Sequence, residues 1–145
     1  MASSSLGKVH IRVACREDIH AVLSLWEQAR SAAASTPDDA DGILQLIEHT
    51  NDALFVAEHQ GLVVGALVAA WDGWRGNMYR LAVLPAYRRR GIARRLVEAG
   101  HEALHAKGAR RITALVAPDE AAATGLWHAA GYQLDENHLR FVRNL

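Results

Sequence analysis

Asn77-Met78-Tyr79-Arg80-Leu81-Ala82-Val83-Leu84-Pro85-Ala86-Tyr87-Arg88-Arg89-Arg90-Gly91-Ile92-Ala93 is the stretch on which the reading of this chain turns. Residues 78–84 form an apolar, strand-like run, and Pro85 ends it. Ile92, Leu96, Val97, Ala103 and Leu104 then recur at helical spacing. Gly108 stands just past the last turn, where a glycine accepts a positive φ. The segment therefore reads as strand, basic glycine-containing turn, helix.

The turn has the makings of an anion site. The first amides of a helix lack intrahelical acceptors, and the helix dipole places partial positive charge beside them. Phosphate oxygens satisfy both. Gly91 removes a Cβ where a ligand approaches the backbone, and Ala93 keeps the next position small. Arg88, Arg89, Arg90, Arg94 and Arg95 add charge that steers and holds an anion.

Composition keeps this feature local. Lysine plus arginine and aspartate plus glutamate both total 16, so the whole molecule is not a polyanion binder. Its 145 residues, half of them apolar, suit one domain with a real core. Cys15 is the only cysteine, so no internal disulfide forms, as expected in a reducing cytoplasm. Residues 1–6 lack the apolar core of a signal peptide. No run of roughly 18 apolar residues predicts a membrane span. Residues 1–7 are expected to be a flexible N-terminus, with the domain covering 8–145.

Taken in order, residues 9–14 read as a strand with Val9, Ile11 and Val13 on one face. An amphipathic helix over 16–30 buries Ile19, Val22, Leu23, Trp26 and Ala29. Residues 31–36 form a loop. Thr36-Pro37-Asp38-Asp39 opens a short helix, with threonine as cap and acids in the first turn; Ile43, Leu46 and Ile47 point inward. Strands 54–58 and 62–71 flank the hairpin signal His59-Gln60-Gly61, and Gly65 marks a bulge. A turn over 71–76 leads into the central strand. After the long helix, 111–117 is a strand reached by a right-handed parallel crossover. Asp119 caps a helix carrying Ala122, Ala123, Leu126, Trp127 and Ala130, and Gly131 ends it. Residues 132–134 and 138–142 read as two final strands around Asp135-Glu136-Asn137. The order is β-α-α-β-β-β-α-β-α-β-β, an α/β fold with a mixed, mostly antiparallel sheet.

Arg88-x-x-Gly91-x-Ala93 resembles the Gln/Arg-x-x-Gly-x-Gly/Ala signature of the GNAT superfamily of acyl-CoA-dependent N-acetyltransferases. The preceding Leu81-Ala82-Val83-Leu84-Pro85-Ala86-Tyr87 is similar to that family's strand and exit loop. Leu126-Trp127-His128-Ala129-Ala130-Gly131-Tyr132 resembles its closing motif, so the likeness spans nearly the whole chain. It implies a single-domain GNAT-like fold splayed at the central parallel strand pair. It implies acetyl-CoA as cosubstrate, with no metal, and direct attack by an amine of a small molecule or peptide. On that pattern Leu81, Ala82 and Val83 meet the pantetheine arm, and the Leu81 backbone N–H faces the acetyl carbonyl. Backbone groups of Arg88, Arg89, Arg90, Gly91, Ile92 and Ala93 hold the pyrophosphate. The expected acceptor pocket carries Glu27, Asp38, Asp39, Asp41, Glu48, Asp135 and Glu136, a negative field suited to a cationic amine. No base-reading module or stacking aromatic run accompanies the arginine turn, so no nucleic-acid partner is expected; no membrane partner is expected either, and a homodimer is left open.

Two positions depart from the family pattern. Trp127 stands where many members carry a tyrosine acid, and Asn77 where some carry a glutamate base. Tyr79 shares a strand face with Asn77 and is the candidate base, with Asp72 and Glu27 as others. These departures leave a non-catalytic acyl-CoA sensor as the alternative. His101-Glu102-Ala103-Leu104-His105 also matches the zinc-peptidase helix H-E-x-x-H. However, Arg111 occupies the third-ligand position of the extended motif, and both histidines fall on the polar stripe with Arg94 and Glu98.

Overall fold

Alternating apolar residues build an antiparallel meander, and the strand–helix–strand unit adds one parallel strand to its edge. The computed structural model describes residues 8–29, 38–50, 52–116 and 121–145. Strand β1 (Val9–Val13) leads through a 3₁₀ turn (Arg16–Asp18) to α1 (Ile19–Ala29) and α2 (Ala40–His49). Strands β2 (Leu54–His59), β3 (Leu62–Trp71) and β4 (Gly76–Val83) follow, then a 3₁₀ turn at Pro85–Tyr87 and the long helix α3 (Ile92–Ala106). Strand β5 (Ile112–Ala114) and α4 (Ala121–Ala129) complete the fold. The sheet order is β1-β2-β3-β4-β5, antiparallel except for the parallel β4–β5 pair.

The helices lie on both faces. Leu67, Ala69 and Met78 pack beneath Leu96, Val97 and Leu104 of α3 and Trp127 of α4. On the other face Val56, Ala66 and Val68 meet Val22, Leu25 and Trp26 of α1 and Ile43 of α2. The expected bulge is present: Ala57 pairs with Gly65 and Glu58 with Val63, leaving Val64 as the extra residue. Gly65 also lets α3 come close, since a Cβ there would meet Leu96 Cδ1 at 3.0 Å and Ile92 Cγ2 at 3.3 Å. Gly100 does the same from the helix side, where a Cβ would lie 3.0 Å from Met78 Cε.

Several expectations are corrected. Residues 132–134 and 138–142 form no strand; beyond Tyr132 the chain has no regular secondary structure. No described strand of the sheet pairs with them. The first helix begins with a 3₁₀ turn because Asp18 folds back to accept the Cys15 N–H at 2.8 Å. Leu25, rather than Leu23, joins its fully buried stripe. Asp39 is the cap of α2, accepting the Gly42 N–H at 2.6 Å. Thr36, Pro37, Asp119, the loop at 31–36 and residues 1–7 lie outside the described residues. The last strand spans 112–114 rather than 111–117. Among the described residues no helix is long and apolar enough to cross a membrane.

One buried charge fixes the way the chain leaves β1. Asp18 is only 6% exposed. Its carboxylate accepts two hydrogen bonds from Arg12, Nη1 to Oδ2 at 2.7 Å and Nη2 to Oδ1 at 2.9 Å. Arg12 also reaches Glu58 Oε1 at 2.8 Å. The Arg12 hydrogen bonds, aided by the Cys15 amide, hold Asp18 down from 3.8 to about 2. A depressed carboxylate stabilises the fold above its unfolded pKa, and that contribution is lost as pH falls through the folded value. Asp18→Asn is expected to cost on the order of 2 kcal/mol at pH 7. Urea unfolding from pH 7 to 2 should show the gap to wild type shrinking between about pH 4 and 2. A gap independent of pH would remove Asp18 from this role.

Candidate active site

Strands β4 and β5 pair over only three residues, Gly76 with Ile112, Asn77 with Thr113 and Met78 with Ala114. A bond from the Leu115 N–H to the Met78 carbonyl, at 2.9 Å, ends that ladder. Beyond it, the edge of β4 that faced β5 has no strand partner among the described residues. The irregularity that accompanies this opening lies against β3. Tyr79 pairs with Val68 and Ala82 with Ala66, so Arg80 and Leu81 share the position opposite Leu67. This extra residue is a bulge. Arg80 takes φ 58°, which costs a residue with a Cβ roughly 1–2 kcal/mol.

Residues far away in sequence hold that bulge. The Trp26 indole N–H donates to the Arg80 carbonyl at 2.9 Å. The Arg80 guanidinium pairs with Asp38 at 2.8 Å and lies 5.9 Å from the Trp26 ring centre. In the sequence Trp26 read as a core aromatic, and Asp38 as an acid of the acceptor pocket rather than as a partner of β4. Further along β4, the Leu84 N–H bonds to the Val64 carbonyl at 2.9 Å. Strand alternation then directs the Val83 peptide groups away from β3, toward the gap. Arg88 Nε donates to that Val83 carbonyl at 3.3 Å.

The chain leaves β4 through the Pro85–Tyr87 turn and enters α3 at Gly91. The Tyr87 hydroxyl sits 3.1 Å from His59 Nδ1, and Arg90 lies 5.5 Å over the Tyr87 ring. Gly91 is the cap of α3, at φ 80°, and supplies no capping side chain. The first helical bond runs from the Arg95 N–H to the Gly91 carbonyl, 3.1 Å. The amides of Ile92, Ala93 and Arg94 therefore find no acceptor within the helix. Apart from its chain neighbours, no atom of the described residues lies within 4 Å of where a Gly91 Cβ would be, so the approach is open. Arg88, Arg89 and Arg90 are exposed beside it.

The arginine cluster is smaller than the sequence suggests. Arg94 pairs with Glu98 at 3.2 Å, and Arg95 donates to the Val9 carbonyl at 3.0 Å. The expected acidic field is also largely spent within the protein. Asp38 holds Arg80, Asp39 caps α2, Glu48 lies 3.5 Å from Arg16, and Asp135 contacts His138 and Arg111. Glu27, Asp41 and Glu136 remain exposed.

Candidate proton-transfer groups separate by environment. Tyr79 is half-buried on the α1–α2 face, and burial raises its hydroxyl above the usual 10. It is therefore a phenol at neutral pH, which conflicts with the role of base. Asp72 accepts the Trp74 and Arg75 amides at 2.8 and 2.7 Å, and those bonds lower its pKa. It is a turn residue. Trp127 is buried in the core, with Tyr132 edge-on at 5.0 Å. The enclosed Tyr132 hydroxyl has no protein partner among the described residues, and burial raises it too. His101 and His105 are exposed, their rings stacked at 6.3 Å. Among the described residues no group of three potential metal ligands gathers there or elsewhere.

Comparison with known proteins follows the same lines. Residues 19–132 match the Acetyltransferase (GNAT) family. An acetyltransferase of Pectobacterium atrosepticum is 33% identical over 86% of this chain and 88% of its own length. One of Sodalis glossinidius is 32% identical over 94% and 96%. Among solved structures, an aminoglycoside N-acetyltransferase in complex with CoA superimposes with a TM-score of 0.72 at 20% identity, covering 94% of this chain and 95% of that one. Ard1 from Thermoplasma volcanium gives 0.77 at 19% identity, covering 88% and 84%.

Because Gly91 has open space around it, the cost of a side chain there is conformational alone. Gly91→Ala is expected to lower stability by about 1 kcal/mol, the penalty for a Cβ in the left-handed region. Urea denaturation measures it; a neutral or stabilising change would show that α3 does not need this backbone geometry.

Proposed function

The chain belongs to the GNAT acetyltransferase family, and from that premise we propose that it moves an acetyl group from acetyl-CoA to a primary amine of a small molecule or peptide. The observation that carries the proposal is the pairing of an open β4 edge with the uncapped, glycine-led start of α3. The first offers peptide groups to an amide-containing arm. The second offers amides and a favourable dipole to a diphosphate.

Each group then has a task. Backbone N–H groups from Arg88 to Ala93, with Leu81, Ala82 and Val83 on the strand, hold the cosubstrate. The Val83 carbonyl accepts from a pantetheine amide once the Arg88 guanidinium turns from it toward phosphate. The Leu81 N–H, displaced from the β3 ladder by the bulge, stabilises charge building on the thioester carbonyl oxygen. The amine nitrogen attacks the acetyl carbon, the carbon–sulfur bond breaks, and the thiolate leaves without a tyrosine acid at Trp127. A simple thiol has a pKa near 8.5, so that departure is feasible. Holding both reactants together supplies most of the rate.

Tyr79 enters as a hydrogen-bonding phenol on the acceptor side of β4, and the ammonium proton passes to solvent. Tyr79→Phe is then expected to raise the amine KM and leave the acidic limb of the kcat/KM profile in place. A shift of that limb would return Tyr79 to the role of base.

Calorimetric titration with acetyl-CoA tests the whole reading. Wild type should bind, and Gly91→Glu should bind at least about tenfold more weakly, a loss of about 1.4 kcal/mol, through bulk and charge against phosphate. Equal affinities would remove the phosphate assignment, and no binding at millimolar acetyl-CoA would end the proposal. Thiol release across polyamines, aminoglycosides, amino acids and peptide N-termini identifies the acceptor. Binding without turnover on any of them would favour a sensor.

A further inference from the structure

Two left-handed residues shape the turn before α3. Gly91 is one, at φ 80°, and Arg89 is the other, at φ 61°. Glycine adopts that region freely, whereas a residue with a Cβ does not. A strained residue of this kind persists only where the surrounding structure over-determines it. Arg88, Arg89 and Arg90 are all exposed, so the hold does not come from burial of the turn itself.

It comes from the two ends of the turn, and both ties reach one cross-strand pair. Val9 of β1 stands opposite His59 of β2 in the antiparallel ladder. After the turn, Arg95 Nη2 donates to the Val9 carbonyl at 3.0 Å. Before it, the Tyr87 hydroxyl meets His59 Nδ1 at 3.1 Å, with the two rings edge-on at 5.4 Å. The Tyr87 N–H is fixed as well, bonded to the Leu84 carbonyl at 2.8 Å. The Arg90 guanidinium folds back over the Tyr87 ring, 5.5 Å from its centre. Tyr87 is therefore the fixed point at the head of the turn, and His59 is what fixes its hydroxyl.

Packing alone does not select histidine at 59. The side chain is half-buried, and its Nε2 is enclosed with no protein partner among the described residues. An enclosed polar atom without a partner costs stability. Val9, across the ladder, is buried in the core. An apolar side chain at 59 would extend that surface without the cost. What the imidazole supplies instead is the Nδ1 bond to Tyr87.

We propose that His59 is a positioning residue for the diphosphate of acetyl-CoA. Through the Tyr87 hydroxyl it holds residues 88–91, with Arg90 over the ring, in the shape that receives phosphate. The proposal rests on the acetyl-CoA reading above. Its effect falls on affinity for the cosubstrate, because the imidazole acts on the turn and not on the acetyl group.

Calorimetry with acetyl-CoA, run beside urea denaturation, tests it. Losing one hydrogen bond that favours the bound shape should weaken binding about fivefold. His59→Leu and Tyr87→Phe should each show that loss; the second keeps the ring under Arg90 and removes only the hydroxyl. The double variant should bind no more weakly than either alone, since both remove the same bond. His59→Leu should be at least as stable as wild type in urea while binding more weakly. His59→Asn, which returns a polar atom to the place of Nδ1, should recover most of the affinity. A wild type that does not bind at millimolar acetyl-CoA would remove the acetyl-CoA reading and this proposal with it. A wild type that binds, with both single variants binding equally well, would overturn this proposal alone. So would additive losses, a loss of affinity in His59→Leu matched by a loss of stability, or no recovery in His59→Asn.

Discussion

The bond from the Trp26 indole to the Arg80 carbonyl is the constraint on which the site depends. It holds a non-glycine residue in the left-handed region, in the middle of a strand. Left alone, that conformation is unfavourable by roughly 1–2 kcal/mol. A partly buried hydrogen bond of about 1 kcal/mol offsets much of it. The enclosed Arg80–Asp38 pair and the guanidinium lying toward the Trp26 ring add to the hold. The bulge gives β4 two residues opposite Leu67 on the β3 side, and its pairing with β5 stops just before the bulge. α1 and the segment before α2 therefore act on the opening from the face opposite α3.

The other half of the site is placed by packing. α3 lies close on the sheet because Gly65 and Gly100 remove the side chains that would keep it away. Gly76 does the same under Leu104, where a Cβ would stand 2.7 Å from Leu104 Cδ1. With Ile92 and Leu96 buried, the start of α3 cannot drift from the end of β4. The uncapped amides and the open strand edge are held together by one rigid contact, and the proposed acetyl-CoA site rests on that geometry.

Charge is arranged more for structure than its totals suggest. Arg12, Asp18 and Glu58 close the β1–α1 connection. Arg94 and Arg95 serve their own helix and β1, whereas Arg88, Arg89 and Arg90 of the turn are exposed. Most acids that a linear reading assigns to an acceptor pocket are already paired. Under the proposed amine acetylation, selectivity would therefore rest on shape and hydrogen bonding more than on a broad negative field.

Local chemistry was enough for much of this. The strand at 78–84, the Arg88–Ala93 turn and the following helix were legible because period and turn residues act over a few positions. So were the glycine-marked ends, since Gly61, Gly91, Gly108 and Gly131 all take the positive φ that only glycine adopts freely. The bulge at Arg80 was not legible, because a register change needs two strands to define it. Trp26 and Asp38 read as a core aromatic and a helix-start acid, since their partner lies 54 and 42 residues away. The tail at 138–145 has a strand's alternation, which sequence can supply. Whether an alternating segment becomes a strand depends on an edge to receive it, and only the folded chain shows which edge is open.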